Sequence, residues 1–175
     1  HSDKTYTLLY TKHTALKIGM FALERMVQVM EMTQAGMVYA DHYQQIDGVQ
    51  KTAPVIDYQP GSLRDDFNFG SVLLFNANAF KEVIENTEEE YQYAGLYDLR
   101  LKISQKSKLV HINEYLYTEV ESDKRKSGEK QFDYVDPKNR QVQIEMEQAF
   151  TGYLKRTGVY LPSNFKKVNF RTETF

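Results

Sequence analysis

"YTLLYTKHTAL", Tyr6 to Leu16, opens as a strand and then stops being one. Apolar and aromatic residues run from Tyr6 to Tyr10, as in a buried strand, and the polar triplet Thr11-Lys12-His13 follows at once. In open α/β sheets the carboxyl ends of the strands are where ligands bind. The triplet therefore reads either as a surface turn or as part of a ligand site. The same figure returns at "AGMVYADHY", where the short apolar strand Met37–Ala40 runs into Asp41-His42-Tyr43. Between the two, from Met20 to Met32, Met20, Leu23, Val27 and Met30 recur at helical spacing, and Gly36 can end that helix. Strand, helix and strand in succession favour a layered α/β sheet.

Working outward, Asp47-Gly48 and Pro60-Gly61 are turn signals inside a long connection. "SVLLF", Ser71 to Phe75, is a further strand, and Phe80, Val83 and Ile84 continue as a short helix. The acidic run Glu88-Glu89-Glu90 reads as a solvated turn. Tyr93 to Ser104 is expected as a helix with Leu96, Leu99 and Ile103 on one stripe. Leu109–Ile112 and Tyr115–Tyr117 are expected as short strands, followed by a polar loop, "ESDKRKSGEKQFDY". Asp136-Pro137 is a helix start, an N-cap acceptor before the residue favoured at the first helical position. Val142, Met146, Ala149, Phe150 and Tyr153 give that helix a buried face, and Gly158 can close it.

A chain of 175 residues suits one domain, burying roughly 70% of the surface its unfolded form exposes. Lys and Arg number 22 against 24 Asp and Glu, a formal charge of −2, so no global field draws the chain to nucleic acid or an anionic membrane. There is no cysteine, which excludes a disulfide framework and thiol-ligated metal, and fits a reducing compartment. No run approaches the ~18 apolar residues of a transmembrane helix. The expectation is a soluble, cytoplasmic protein.

"YTLLYTKHTALKIGMFALERMV", "AGMVYADHY", "FNFGSVLLFNANAF", "YDLRLKIS" and "KLVHINEYLYTEVESD" together resemble, in order and spacing, successive segments of the family 2 glycosyltransferases. The resemblance spans Tyr6 to Asp123. It implies an α/β fold of GT-A type, a mixed sheet flanked by helices, with the nucleotide-binding strands of the family's first half expected before His1. It divides the chain into 1–135, the later part of the core, and 136–175, a C-terminal helix and tail packing on it. The implied reaction moves a sugar from a nucleotide-sugar donor to a saccharide or lipid-linked acceptor in polysaccharide biosynthesis. A sheet lacking its first strands would leave an edge exposed, to be covered by the preceding segment or by a second copy.

Two motifs depart from the family's pattern. The aspartates that hold Mn²⁺ or Mg²⁺ in the family fall here on Thr11 and His13. Of this pair only His13 could ligate Mn²⁺, while Lys12 could meet a donor phosphate as a point charge. Lys124 and Arg125, followed by Lys126, stand where the family places basic residues that meet the diphosphate; a solvated loop is the plain reading of the same residues. The family's catalytic carboxylates fall on Gly95 and Leu96, leaving Asp98 as either a displaced base or a structural residue. Asp65-Asp66, and Asp66 in particular, are the other carboxylates expected to face an acceptor. Asp41, His42 and Asp47 offer ligand atoms at no standard metal spacing, and His111, inside an apolar run, reads as a hydrogen-bonded core histidine. The eroded motifs keep an alternative open, a non-catalytic GT-A-like binding or assembly module.

Overall fold

A computed structural model describes residues 4–121 and 140–163, so the Lys124–Lys126 segment and Asp136-Pro137 lie outside the described residues. The strand expected at the start is present as β1 (Tyr6–Tyr10). A strand that the sequence reading missed follows it, β2 (Ala15–Ile18), four residues with too little pattern to be legible alone. Helix α1 (Ala22–Thr33) leads to β3 (Met37–Ile46), which hairpins into β4 (Val49–Ala53). The hairpin turn is Asp47-Gly48, both at positive φ (50° and 82°), the backbone of a type I′ turn, for which Asp-Gly is a favoured pair. An irregular stretch then covers the sheet before β5 (Val72–Asn76) and α2 (Ala77–Glu85). Asn76 ends the strand and caps the helix, its Oδ1 accepting from the N–H groups of Asn78 and Ala79 at 3.0 and 3.1 Å. Helix α3 (Gly95–Ser104), strand β6 (Leu109–Glu121) and helix α4 (Arg140–Thr157) complete the described chain.

The fold is α/β, with one mixed six-stranded sheet in the order β1-β5-β3-β6-β2 and β4 paired to the far half of β3. β3 and β6 run parallel, from Met37 opposite Leu109 to Gln45 opposite Val120, while every other pair is antiparallel. Two register shifts, at Ala40/Asp41 and Asp41/His42, divide β3. Before them it pairs with β5, and beyond them with β4. β3 and β6 are therefore longer than expected: each continues through polar residues because neighbours on both sides take up its backbone groups. No described helix is long and apolar enough to cross a membrane.

Alternation along β3 and β5 splits the core in two. Val38, Ala40, Val72 and Leu74 face α1, meeting Met26 and Met30. Met37, Tyr39, Leu73 and Phe75 face the other way, meeting Phe69, Ile103 and Leu109. The buried ridge of α1 is Ala22, Met26 and Met30, at a spacing of four, rather than one through Met20 and Leu23, which are both exposed. The helix starts only at Ala22 because Phe21 is held at φ 59°, which leaves Met20 before the first turn. Helix α3 is buried on two sides: Leu99 and Ile103 meet the sheet, while Tyr97 and Leu101 meet Ala149, Met146 and Tyr153 of α4. Leu96, expected on the buried stripe, is 40% exposed.

Candidate functional site

A cleft of about 280 Å³ opens where three segments distant in sequence converge. Thr11, just after β1, gives one wall; Asp65 and Phe67–Gly70, just before β5, give another; Tyr93, Leu96, Tyr97 and Arg100, at the start of α3, give the third. Gly70 is required where it stands: its φ is +72°, and a Cβ there would sit 2.2 Å from the Tyr117 hydroxyl. Its N–H donates to Asn68 Oδ1 at 2.9 Å, which tightens the turn at the cleft wall.

Arg100 dominates the chemistry of the cleft. It is 5% exposed, and its guanidinium carbon lies 4.8 Å from the Tyr97 ring centroid, 5.2 Å from that of Phe69 and 5.9 Å from that of Tyr58. Contacts of this kind contribute about 0.5–2 kcal/mol each. Nη2 donates to the Arg64 carbonyl at 2.7 Å, and Nη1 has no hydrogen-bond partner among the described residues. Burial pulls its pKa below the usual arginine value, yet guanidinium remains charged in proteins. Among the described residues it forms no ion pair. Sequence reasoning passed over Arg100 because a charged residue in a helix normally faces water. The signal that could have found it is its place beside Leu101 and three residues after Tyr97, on a stripe that is otherwise apolar.

Beside the cleft, the end of β1 is tied to the sheet by a buried polar network. Lys12 Nζ pairs with Glu119 Oε2, and His42 Nε2 lies 3.3 Å from Glu119 Oε1. His42 stacks on Tyr117 with ring centroids 5.0 Å apart, and the Tyr117 hydroxyl accepts from Ser71 N–H at 2.9 Å. Burial opposes ionisation of Glu119, which is 1% exposed; the Lys12 hydrogen bond and the nearby His42 and Lys12 charges outweigh it and hold the carboxyl below the usual glutamate value. On the other face, Asp41 Oδ1 accepts from Val55 N–H at 2.8 Å and lies 2.9 Å from His111 Nε2. His111 Nδ1 is 2.7 Å from Asp57, so this histidine is a hydrogen-bonded core residue.

The residues singled out from sequence scatter. Thr11 and Asp65 line the cleft, whereas Asp66 points away into a surface pair with Arg64 at 2.8 Å. Asp98 is 3% exposed and sits between Lys102 at 2.6 Å and Arg156 at 3.6 Å, binding α3 to α4. His13 is exposed, and Lys12 is engaged with Glu119. Asp47 is in the hairpin turn. Among the described residues no group of three His, Asp or Glu side chains is placed to hold a metal. Thr11 and His13 lack the anionic oxygens a hard cation takes, so a Mn²⁺ held by His13 would need carboxylate ligands in addition. Compared with known proteins, the chain matches no family model, and no curated sequence is significantly similar to it.

Proposed function

We propose that this chain is the later part of a GT-A-type family 2 glycosyltransferase, acting on a nucleotide-sugar donor and a saccharide or lipid-linked acceptor. One observation carries the reading: a single cleft draws its walls from the three segments to which the sequence resemblance gives the donor metal, the acceptor and the catalytic base. Tyrosine and phenylalanine around it suit the apolar faces of a sugar ring, and Asn68 and Thr11 offer hydrogen bonds to hydroxyls. Inversion at the anomeric carbon needs a carboxylate to take the acceptor's proton as attack proceeds. Asp98 is committed to Lys102 and Arg156, so Asp65, the carboxylate on the cleft wall, takes that role here.

The test is transfer from a panel of nucleotide sugars by purified protein, with Asp65→Asn and Asp98→Asn beside the parent. Asp65→Asn should lose ~10²–10⁴ in rate at an unchanged melting temperature. Asp98→Asn should lower the melting temperature. Equal turnover by the parent and Asp65→Asn would remove Asp65 from the mechanism. The second reading, a binding module without turnover, is favoured by Thr11 and His13 at the metal positions and by the locking of Lys12 onto Glu119. Saccharide binding with no turnover of any donor would select it.

A further inference from the structure

A buried cation without a counterion is costly, and among the described residues Arg100, at the wall of a cleft, has no ion-pair partner. Water screens an exposed charge more than a buried one, so the Arg100 guanidinium acts more strongly on a group brought against it than a surface arginine would. The other charged residue lining the cleft, Asp65, is exposed to solvent and acts on Arg100 through space, with no ion pair between the two. The three rings around the guanidinium contribute only weak electrostatic partners, and among the described residues Nη1 has no acceptor. The Leu63–Gly70 stretch that covers it is irregular and attached to Arg100 through the Arg64 carbonyl.

We propose that the cleft recognises an oxyanionic group on its ligand, a carboxylate or phosphate carried by a single sugar unit, and that Arg100 is the residue that reads it. Planar guanidinium pairs with both groups, and its stacking between rings fixes the plane in which an oxyanion is met. A cleft of about 280 Å³ lies just under the ~300–1,000 Å³ of ordinary small-ligand sites, which limits the bound part to about one ring. The anion preference is drawn from the cleft itself. Only the sugar body of the ligand rests on the transferase reading.

Calorimetric titration of the whole chain decides it, with glucuronate, glucose 1-phosphate, glucose, glutarate and inorganic phosphate as probes. Glucuronate or glucose 1-phosphate should bind about tenfold more tightly than glucose, a difference of about 1.4 kcal/mol, and the stronger of the two identifies the anion. Arg100→Gln should abolish that preference. Because Arg100 is buried and the variant can fail to fold, Asp65→Asn gives a second arm: removing the opposing rim charge should tighten the anions severalfold relative to glucose. Glucose binding as tightly as the anions would overturn the proposal while keeping a sugar site. Glutarate and inorganic phosphate binding as well as the sugar anions would keep Arg100 as the anion reader and remove the transferase reading. An anion preference that survives in folded Arg100→Gln, an Asp65→Asn variant with unaltered anion affinity, or no binding by any probe would each overturn it.

Discussion

The two faces of the sheet solve one burial problem by different chemistry. Under α1 the contacts are mainly aliphatic: Met26 and Met30 on Val38, Ala40, Val72, Leu74 and Ile112. A helix satisfies its own backbone, so where α1 lies on the sheet the two meet through side-chain shape. The opposite face is covered between β4 and β5 by irregular chain, whose backbone N–H and C=O groups have no regular partners. There the sheet and α3 supply polar side chains. The Tyr39 hydroxyl donates to the Ile56 carbonyl at 2.8 Å and accepts from Tyr58 N–H at 2.7 Å. Asp41 accepts from Val55, the Tyr97 hydroxyl donates to Leu63, and Arg100 donates to Arg64. A coil laid on a sheet draws polar groups inward, and the cleft lies among those groups.

The contrast predicts different injuries. The largest is Met30→Ala, which opens a cavity in the aliphatic packing under α1 and should cost about 2–5 kcal/mol in chemical denaturation. Ligand affinity at the cleft, on the far side, should not move. A change in affinity without loss of stability would break the separation of the faces. Tyr39→Phe removes a single oxygen from the coil-covered face yet strands a buried N–H and C=O, and should cost about 1–3 kcal/mol. Burial already pushes the Tyr39 hydroxyl far above its ordinary pKa, so the group stays neutral and acts through hydrogen bonds alone. A Tyr39→Phe protein as stable as the parent would mean that water replaces the lost partner.

The smallest effect concerns charge and appears only in acid. Glu119 has a folded pKa below its unfolded value of 4.5, so the stability it contributes is present above that pH and is lost as pH falls through the folded value. Glu119→Gln should therefore flatten the acid limb of the stability curve below about pH 4.5 relative to the parent. Parallel acid limbs in the two proteins would show that the Lys12–Glu119–His42 network does not govern that limb.

The helix-covered face was the more legible in sequence, because amphipathic spacing is the trace a helix leaves when it packs on a sheet. Even there the ridge fell on Ala22 and Met26 rather than Met20 and Leu23, since the left-handed Phe21 delays the first turn. Strands β1 and β5 and the first half of β3 were legible as short apolar runs. The polar second half of β3, and β2, were not, because their strand character comes from the partners they pair with. Of the candidate site, the polar residues after β1 and before β5 were singled out in sequence, and Thr11 and Asp65 among them line the cleft, while Asp41-His42-Tyr43 lies inside β3. Arg100 was hidden because Tyr58, Phe69 and Tyr97, which bury its guanidinium, are scattered along the chain and meet only after folding.

The parallel pairing of β3 with β6 also orders events in time. The β3–β4 hairpin closes over two residues and can form locally within microseconds. The other edge of β3 must wait until the chain from Met37 to Leu109 has been made and looped back, a closure whose entropy is lost before its contacts repay it. During synthesis β3 therefore passes a period with an open edge, and its most apolar part, Met37 to Ala40, is then exposed. Capture of this nascent segment by a chaperone, or its pairing with another unfinished chain, competes directly with the arrival of β6.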